Sequence, residues 1–249
     1  MLASAAGVDP DGHTRAAIVG ERRSDRSHTV LWSLGHGPYA DYTPSGWYSD
    51  LVDALEYRDI VSYETTYSLE YVYLDAYDVI VIGTVLAWDS AYTPAELAAV
   101  QDFVDAGGAL LVLGDNSDTP NEHINPITEA YDVTCQVTGS EPGSDITDVE
   151  SHAVFAGVSE ISLVGPGSLF VSAPGETLAR ASGGEAVVGL SGAGGVIVIG
   201  DCNFCENDYM GLADNEAFIL NVFEYLADYE TGIPDGQSTS WGRVKAGYR

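Results

Sequence analysis

Apolar positions along the chain fall into short unbroken runs separated by glycine and acidic residues. Two of these runs share a phrase: Gly108-Ala109-Leu110-Leu111-Val112-Leu113-Gly114-Asp115-Asn116 is echoed by Gly195-Val196-Ile197-Val198-Ile199-Gly200-Asp201-Cys202-Asn203. Each run is entered through glycine and left through Gly-Asp, the pattern of a strand buried on both faces of a parallel sheet. Thr29 to Leu34, Ile60 to Tyr63 and Val79 to Ile82 read as further strands. Helical spacing falls between them. Ser45 is placed to cap a helix from Trp47 to Glu56 whose Leu51, Val52 and Leu55 share one face. Thr93-Pro94-Ala95-Glu96 combines a cap, a first-turn proline and a capping box. Leu97, Val100, Phe103 and Val104 then make a buried stripe that Gly107-Gly108 terminates. This alternation of strands and helices predicts a parallel sheet with right-handed crossovers.

The second half is less regular. Thr65 to Tyr77 is tyrosine-rich and reads as a loop or short helical turn, and Asn121 to Tyr131 as a helix interrupted at Pro126. Val133 to Val137 is a strand candidate, and Pro142 to Ser151 a polar loop. Leu169 to Ser172, Leu178 to Ala181 and Ala186 to Leu190 read as peripheral antiparallel strands. Asp214 and Asn215 are placed to cap a last helix, Glu216 to Asp228, before a Gly/Pro/Ser-rich tail. One domain over residues 29–230 is expected, with an N-terminal extension at 1–28 and a flexible linker at 231–249.

A chain of 249 residues, 45% hydrophobic, can bury a full core. No apolar stretch approaches the roughly 20 residues of a membrane helix, and Met1 to Gly12 lacks the basic and apolar regions of an intact signal peptide. The net charge of −29 changes the picture most. Such a surface repels phosphate backbones and anionic membranes, so nucleic acid is excluded as a partner. It suits salty or extracellular surroundings that screen charge, or carboxylates that bind calcium, although no EF-hand loop is present.

Ligands of open α/β sheets bind beyond the carboxyl ends of the strands. His36, Asp115, Asn116, Asp201 and Asn203 belong there, with Tyr39, Trp47 and Trp88 as aromatics for sugar stacking or a protein interface. Tyr42, Tyr48 and Tyr92 extend that aromatic group, and each of these rings has core packing as its alternative. The aspartates have turn capping as theirs. An enzymatic reading remains: a hydrolase or metal-dependent enzyme using His36 with Asp115 and Asp201, or Cys202 as a nucleophile with His36 as its base. Cys202 and Cys205 have CxxC spacing without a second pair. A local disulfide, inert thiols, a bridge from Cys135, and metal or redox chemistry all remain open for them. The metal question is likewise open, and no cofactor is expected.

The succession His36-Gly37, Tyr77 to Ile82, Thr93-Pro94-Ala95-Glu96-Leu97 through Phe103 to Gly108, and Gly114-Asp115 resembles the class I glutamine amidotransferase-like superfamily. His152-Ala153-Val154-Phe155-Ala156-Gly157-Val158 and Gly200-Asp201 to Asp214-Phe218 extend the likeness over roughly residues 29 to 228. Within the superfamily the chain is most similar to the non-enzymatic GIFT-type domains of gliding-motility and intraflagellar transport proteins. The resemblance implies a three-layer α/β fold with a mainly parallel, flavodoxin-like sheet and a few peripheral antiparallel strands. Amidotransferases carry a cysteine nucleophile on the turn that Gly114-Asp115-Asn116 occupies here, and a carboxylate cannot form their thioester. The expectation is a non-catalytic binding or assembly module for a protein or glycan ligand. It would belong to an exported bacterial protein, extracellular or periplasmic after processing.

Overall fold

A computed structural model describes residues 27–38, 41–83, 91–139 and 141–229. Tyr39 and Trp88, residues 1–26 of the expected extension and the linker at 231–249 lie outside them. Five strands form the parallel half of the sheet: β1 (His28–Ser33), β2 (Ile60–Thr65), β3 (Val79–Ile82), β4 (Ala109–Leu113) and β12 (Val196–Ile199). Their spatial order is β2-β1-β3-β4-β12. The sheet continues antiparallel through β11 (Ala186–Leu190), β10 (Glu176–Arg180) and β7 (Asp148–Val149). A branch adds β9 (Leu169–Val171) and β5 (Val133–Cys135), and β6 (Asp145–Ile146) with β8 (Ile161–Ser162) makes a separate pair.

The repeated phrase is explained by position. β4 and β12 are parallel neighbours in register, Leu110 opposite Val196 and Leu113 opposite Ile199. Leu111, Leu113, Ile197 and Ile199 enter the core on one face, and Leu110, Val112, Val196 and Val198 the core on the other. Burying each such side chain contributes about 1.5–3 kcal/mol, so both strands need apolar residues at every position. β11, expected at the periphery, is itself wholly buried beside β12.

Helices α1 (Ser49–Glu56) and α4 (Asn215–Ala227) cover the first face through Leu51, Leu55, Phe218, Ile219, Val222 and Phe223. On the second face, α2 (Pro94–Asp105) packs Val100, Phe103 and Val104 beside the short α3 (Asn125–Thr128). The capping box of α2 forms as expected, and Gly107 ends the helix at φ +101°. Two other caps differ. Ser45 lies in a turn where its N–H bonds to Glu64 Oε1 at 2.9 Å, and α1 begins four residues later without a side-chain cap. Asp214 precedes α4 but turns away, accepting the Ser159 N–H, the Ser159 hydroxyl and the Glu160 N–H at 2.8, 2.8 and 3.3 Å. Asn215 likewise reaches across the fold, bonding both backbone groups of Ser162. Residues 65–77 form two 3-10 turns, and 121–131 a broken sequence of 3-10 and α turns.

Candidate functional site

The carboxyl ends of β4 and β12 bring Asp115 and Asp201 together beneath the surface, 6% and 0% exposed. Asp115 accepts the Asn116 N–H at 2.7 Å on one oxygen and the Cys202 thiol at 3.3 Å on the other. Asp201 accepts the N–H groups of Asn203 at 2.8 Å and Val164 at 2.5 Å. Both carboxylates therefore close the turns that follow their strands. Asn121 braces the first of these turns, donating to the carbonyls of Asp115 and Asn116 at 2.7 and 3.2 Å and accepting the Asp115 N–H at 3.2 Å. Asn125 does the same for the Cys135 backbone at 2.9 Å in each direction. Sequence reading missed both asparagines, because their partners lie on other elements.

Residues 164–168 cross the end of this strand pair. The Gly167 N–H bonds to the Gly200 carbonyl at 2.6 Å. A Cβ on Gly167 would stand 2.1 Å from the Asp115 carbonyl oxygen, and one on Gly200 2.1 Å from that of Gly167. The two glycines are what permit so close a seal. Beside it, Ser117, Gln136, Glu141, Pro166 and Ser168 border a depression of about 10 Å³. That is about the room needed by one water molecule.

Electrostatics oppose nucleophilic chemistry here. Burial pushes the Asp201 carboxyl up to about 7, with Asp115 and Glu206 adding repulsion against the bonds from Val164 and Asn203. Burial also raises Asp115. Cys202 is held well above the ordinary thiol range, by burial first and then by both aspartates. A reactive cysteine needs the reverse, a positive and accessible setting that favours the thiolate. Cys202, Cys205 and Cys135 are all free and buried, and Cys135 lies in the core on the other face of the sheet. Among the described residues, no three His, Cys, Asp or Glu side chains are grouped to hold a metal ion.

His36 belongs to a second centre. Its Nε2 lies 2.8 Å from Glu96 Oε1, and its ring packs 4.1 Å from that of Tyr92. Glu96 is fully buried and also accepts the N–H groups of Thr93 at 2.9 Å and Leu69 at 3.3 Å. Burial would raise its carboxyl, yet the Thr93 N–H and His36 outweigh that and hold it at about 2. The capping box was visible in sequence, but the tie to the loop after β1 was not. The enzymatic pairings of His36 with Asp115 or Cys202 are replaced by this contact, since β3 separates β1 from β4.

The aromatics divide. Tyr42, Tyr48 and Tyr92 are buried, while Trp47 is 41% exposed and packs edge-on against Tyr42. Tyr48 donates to the Cys202 carbonyl at 2.8 Å, and Asn203 bonds the Tyr42 hydroxyl. The most exposed rings among the described residues, Tyr57, Tyr67, Tyr71 and Tyr73, lie in a segment not singled out as a site. Its tyrosine density was the available signal.

The mainly parallel sheet and the helices on its two faces make a three-layer, flavodoxin-like α/β fold, and solved structures that include a glutamine amidotransferase are similar to it in fold. The mmIFT52 N-terminal domain is similar over 80% of this chain and 97% of its own, at 16% identity and a TM-score of 0.66. A ThuA-like protein from Bacteroides uniformis is similar over 87% of this chain and 98% of its own, at 15% identity and a TM-score of 0.61. A glutamine amidotransferase from Thermotoga maritima covers 81% and is itself covered over 96%, at 10% identity and a TM-score of 0.52. The chain belongs to the family described as Domain of unknown function (DUF4350), whose model matches residues 44–223. No curated protein matches it in sequence. No helix among the described residues is long and apolar enough to cross a membrane.

Proposed function

We propose that this domain is a non-catalytic binding or assembly module of the GIFT type, carried by an exported bacterial protein and directed at a protein or glycan ligand. The observation that carries the reading is the elbow after β4. It holds a buried aspartate bonded to a protonated thiol and is sealed by Gly167, where an amidotransferase needs an open nucleophile. Trp47, Asn116 and Asn203 would form the contact surface, with Asp115 and Asp201 fixing the loops from beneath. An exposed ring beside amides suits either stacking on a sugar or a protein interface. The net charge of −29 agrees with an extracellular setting.

The test is chemical. Native protein incubated with glutamine should release no ammonia above buffer. Iodoacetamide at pH 8 should leave Cys135, Cys202 and Cys205 unmodified until denaturant is added. Ammonia release, or alkylation of native Cys202 at the rate of a free thiol, overturns the reading.

A further inference from the structure

β2 is the outer strand of the sheet, with β1 as its one strand partner among the described residues. An open edge presents unpaired N–H and C=O groups to any strand laid beside it. Tyr63 lies in β2 and Tyr57 and Tyr67 flank it in sequence, 47–93% exposed, with Glu56, Asp59 and Glu64 exposed among them. Tyrosine faces and carboxylates both attract cations.

The body of the domain has almost no cations to offer. Between residues 27 and 229 the basic residues are Arg58, paired with Glu224, and Arg180, bonded to the Gly184 carbonyl. The other seven are Arg15, Arg22, Arg23, Arg26, Arg243, Lys245 and Arg249. Arg243-Val244-Lys245-Ala246-Gly247-Tyr248-Arg249 contains no acid. In an extended strand its three cations share one face, and Val244, Ala246 and Tyr248 share the other. Residues 1–26 offer no such attraction, because Asp9, Asp11, Glu21 and Asp25 balance their four arginines.

The end of α4 lies close to the start of β2. Asp228, its C-cap, stands 3.4 Å from His28 Nε2, and His28 is the register partner of Ile60, where β2 begins. From there residues 230–242 span up to about 45 Å when extended, against about 20 Å for the length of β2. We propose that residues 243–249 of this same chain add to the free edge of β2 as a strand, with their cations set against the tyrosines and carboxylates around it. This goes beyond the proposed function and does not depend on it. Residues 243–249 would then cover an edge open to association with other chains.

Hydrogen exchange of the full chain at about 0.1 M salt tests the docking. The amides of 243–249 should exchange at least tenfold more slowly than an unstructured peptide. In the triple variant R243E/K245E/R249E that protection should disappear and the outer amides of β2 should exchange about tenfold faster, while β4 and β12 stay unchanged. Glu64→Lys should shift both segments in the same direction by less. A wild-type tail exchanging at the unstructured rate overturns the proposal, as does a charge-reversed chain indistinguishable from wild type. Protection that fades on dilution also overturns it, since the occupant would then be a second copy.

Discussion

Replacing Asp201 by asparagine isolates the energetic effect of the buried acid pair. Burial pushes the Asp201 carboxyl from its ordinary 3.8 up to about 7. Over that interval the folded chain holds a proton that the unfolded chain has released. The resulting stabilisation is complete below the unfolded value and is lost as pH rises through the folded one. At 1.36 kcal/mol per unit the whole window is worth about 4 kcal/mol, of which about 2.5 kcal/mol falls between pH 5 and 8. Asparagine does not titrate, but its NH2 faces one of the two N–H groups that the carboxylate accepts. That mismatch costs about 1–3 kcal/mol at every pH. Urea unfolding of both chains from pH 5 to 8, in about 0.5 M salt to screen surface repulsion, compares the two slopes. His152 and the other histidines are common to both chains and cancel in the difference. The wild type should lose about 2.5 kcal/mol relative to the variant across this range, shrinking or reversing the variant's deficit. Parallel stability curves would refute the titration assigned to Asp201.

Two further substitutions probe the other contacts. Glu96→Gln removes the charge facing His36 while keeping the shape of the buried hub, and should cost about 2–3 kcal/mol in urea unfolding. Thr93→Ala, which removes only the cap, should cost about 1 kcal/mol, and equal losses would reduce Glu96 to a capping residue. Because the folded Glu96 carboxyl is held at about 2, its contribution is present above the ordinary glutamate range and disappears as pH falls toward 2. Gly167→Ala would set a Cβ 2.1 Å from the Asp115 carbonyl. It should cost about 3 kcal/mol or more, and a melting temperature within about 2 °C of wild type would show that residues 164–168 do not press on the end of β4.

Local sequence determined those features whose signals are themselves local. The capping box and proline at Thr93 to Glu96 fixed the start of α2, and the unbroken apolar runs identified β4 and β12 as central strands with acidic turns. Each depends on backbone hydrogen bonding within a few residues, or on burial of a strand on both faces, and both leave a mark confined to a short stretch of sequence. Tertiary structure decided where the polar side chains went. His36 joined Glu96 rather than Asp115, Asp214 held Ser159 and Glu160 rather than its own helix, and Tyr42 and Tyr48 entered the core while Trp47 did not. A histidine, an aspartate or a tyrosine carries several bonding options, and the choice among them is made by whichever distant segment the fold brings within about 3 Å. The closing of the elbow by Gly167 has the same origin, because residues 52 positions apart meet there only after the sheet has formed.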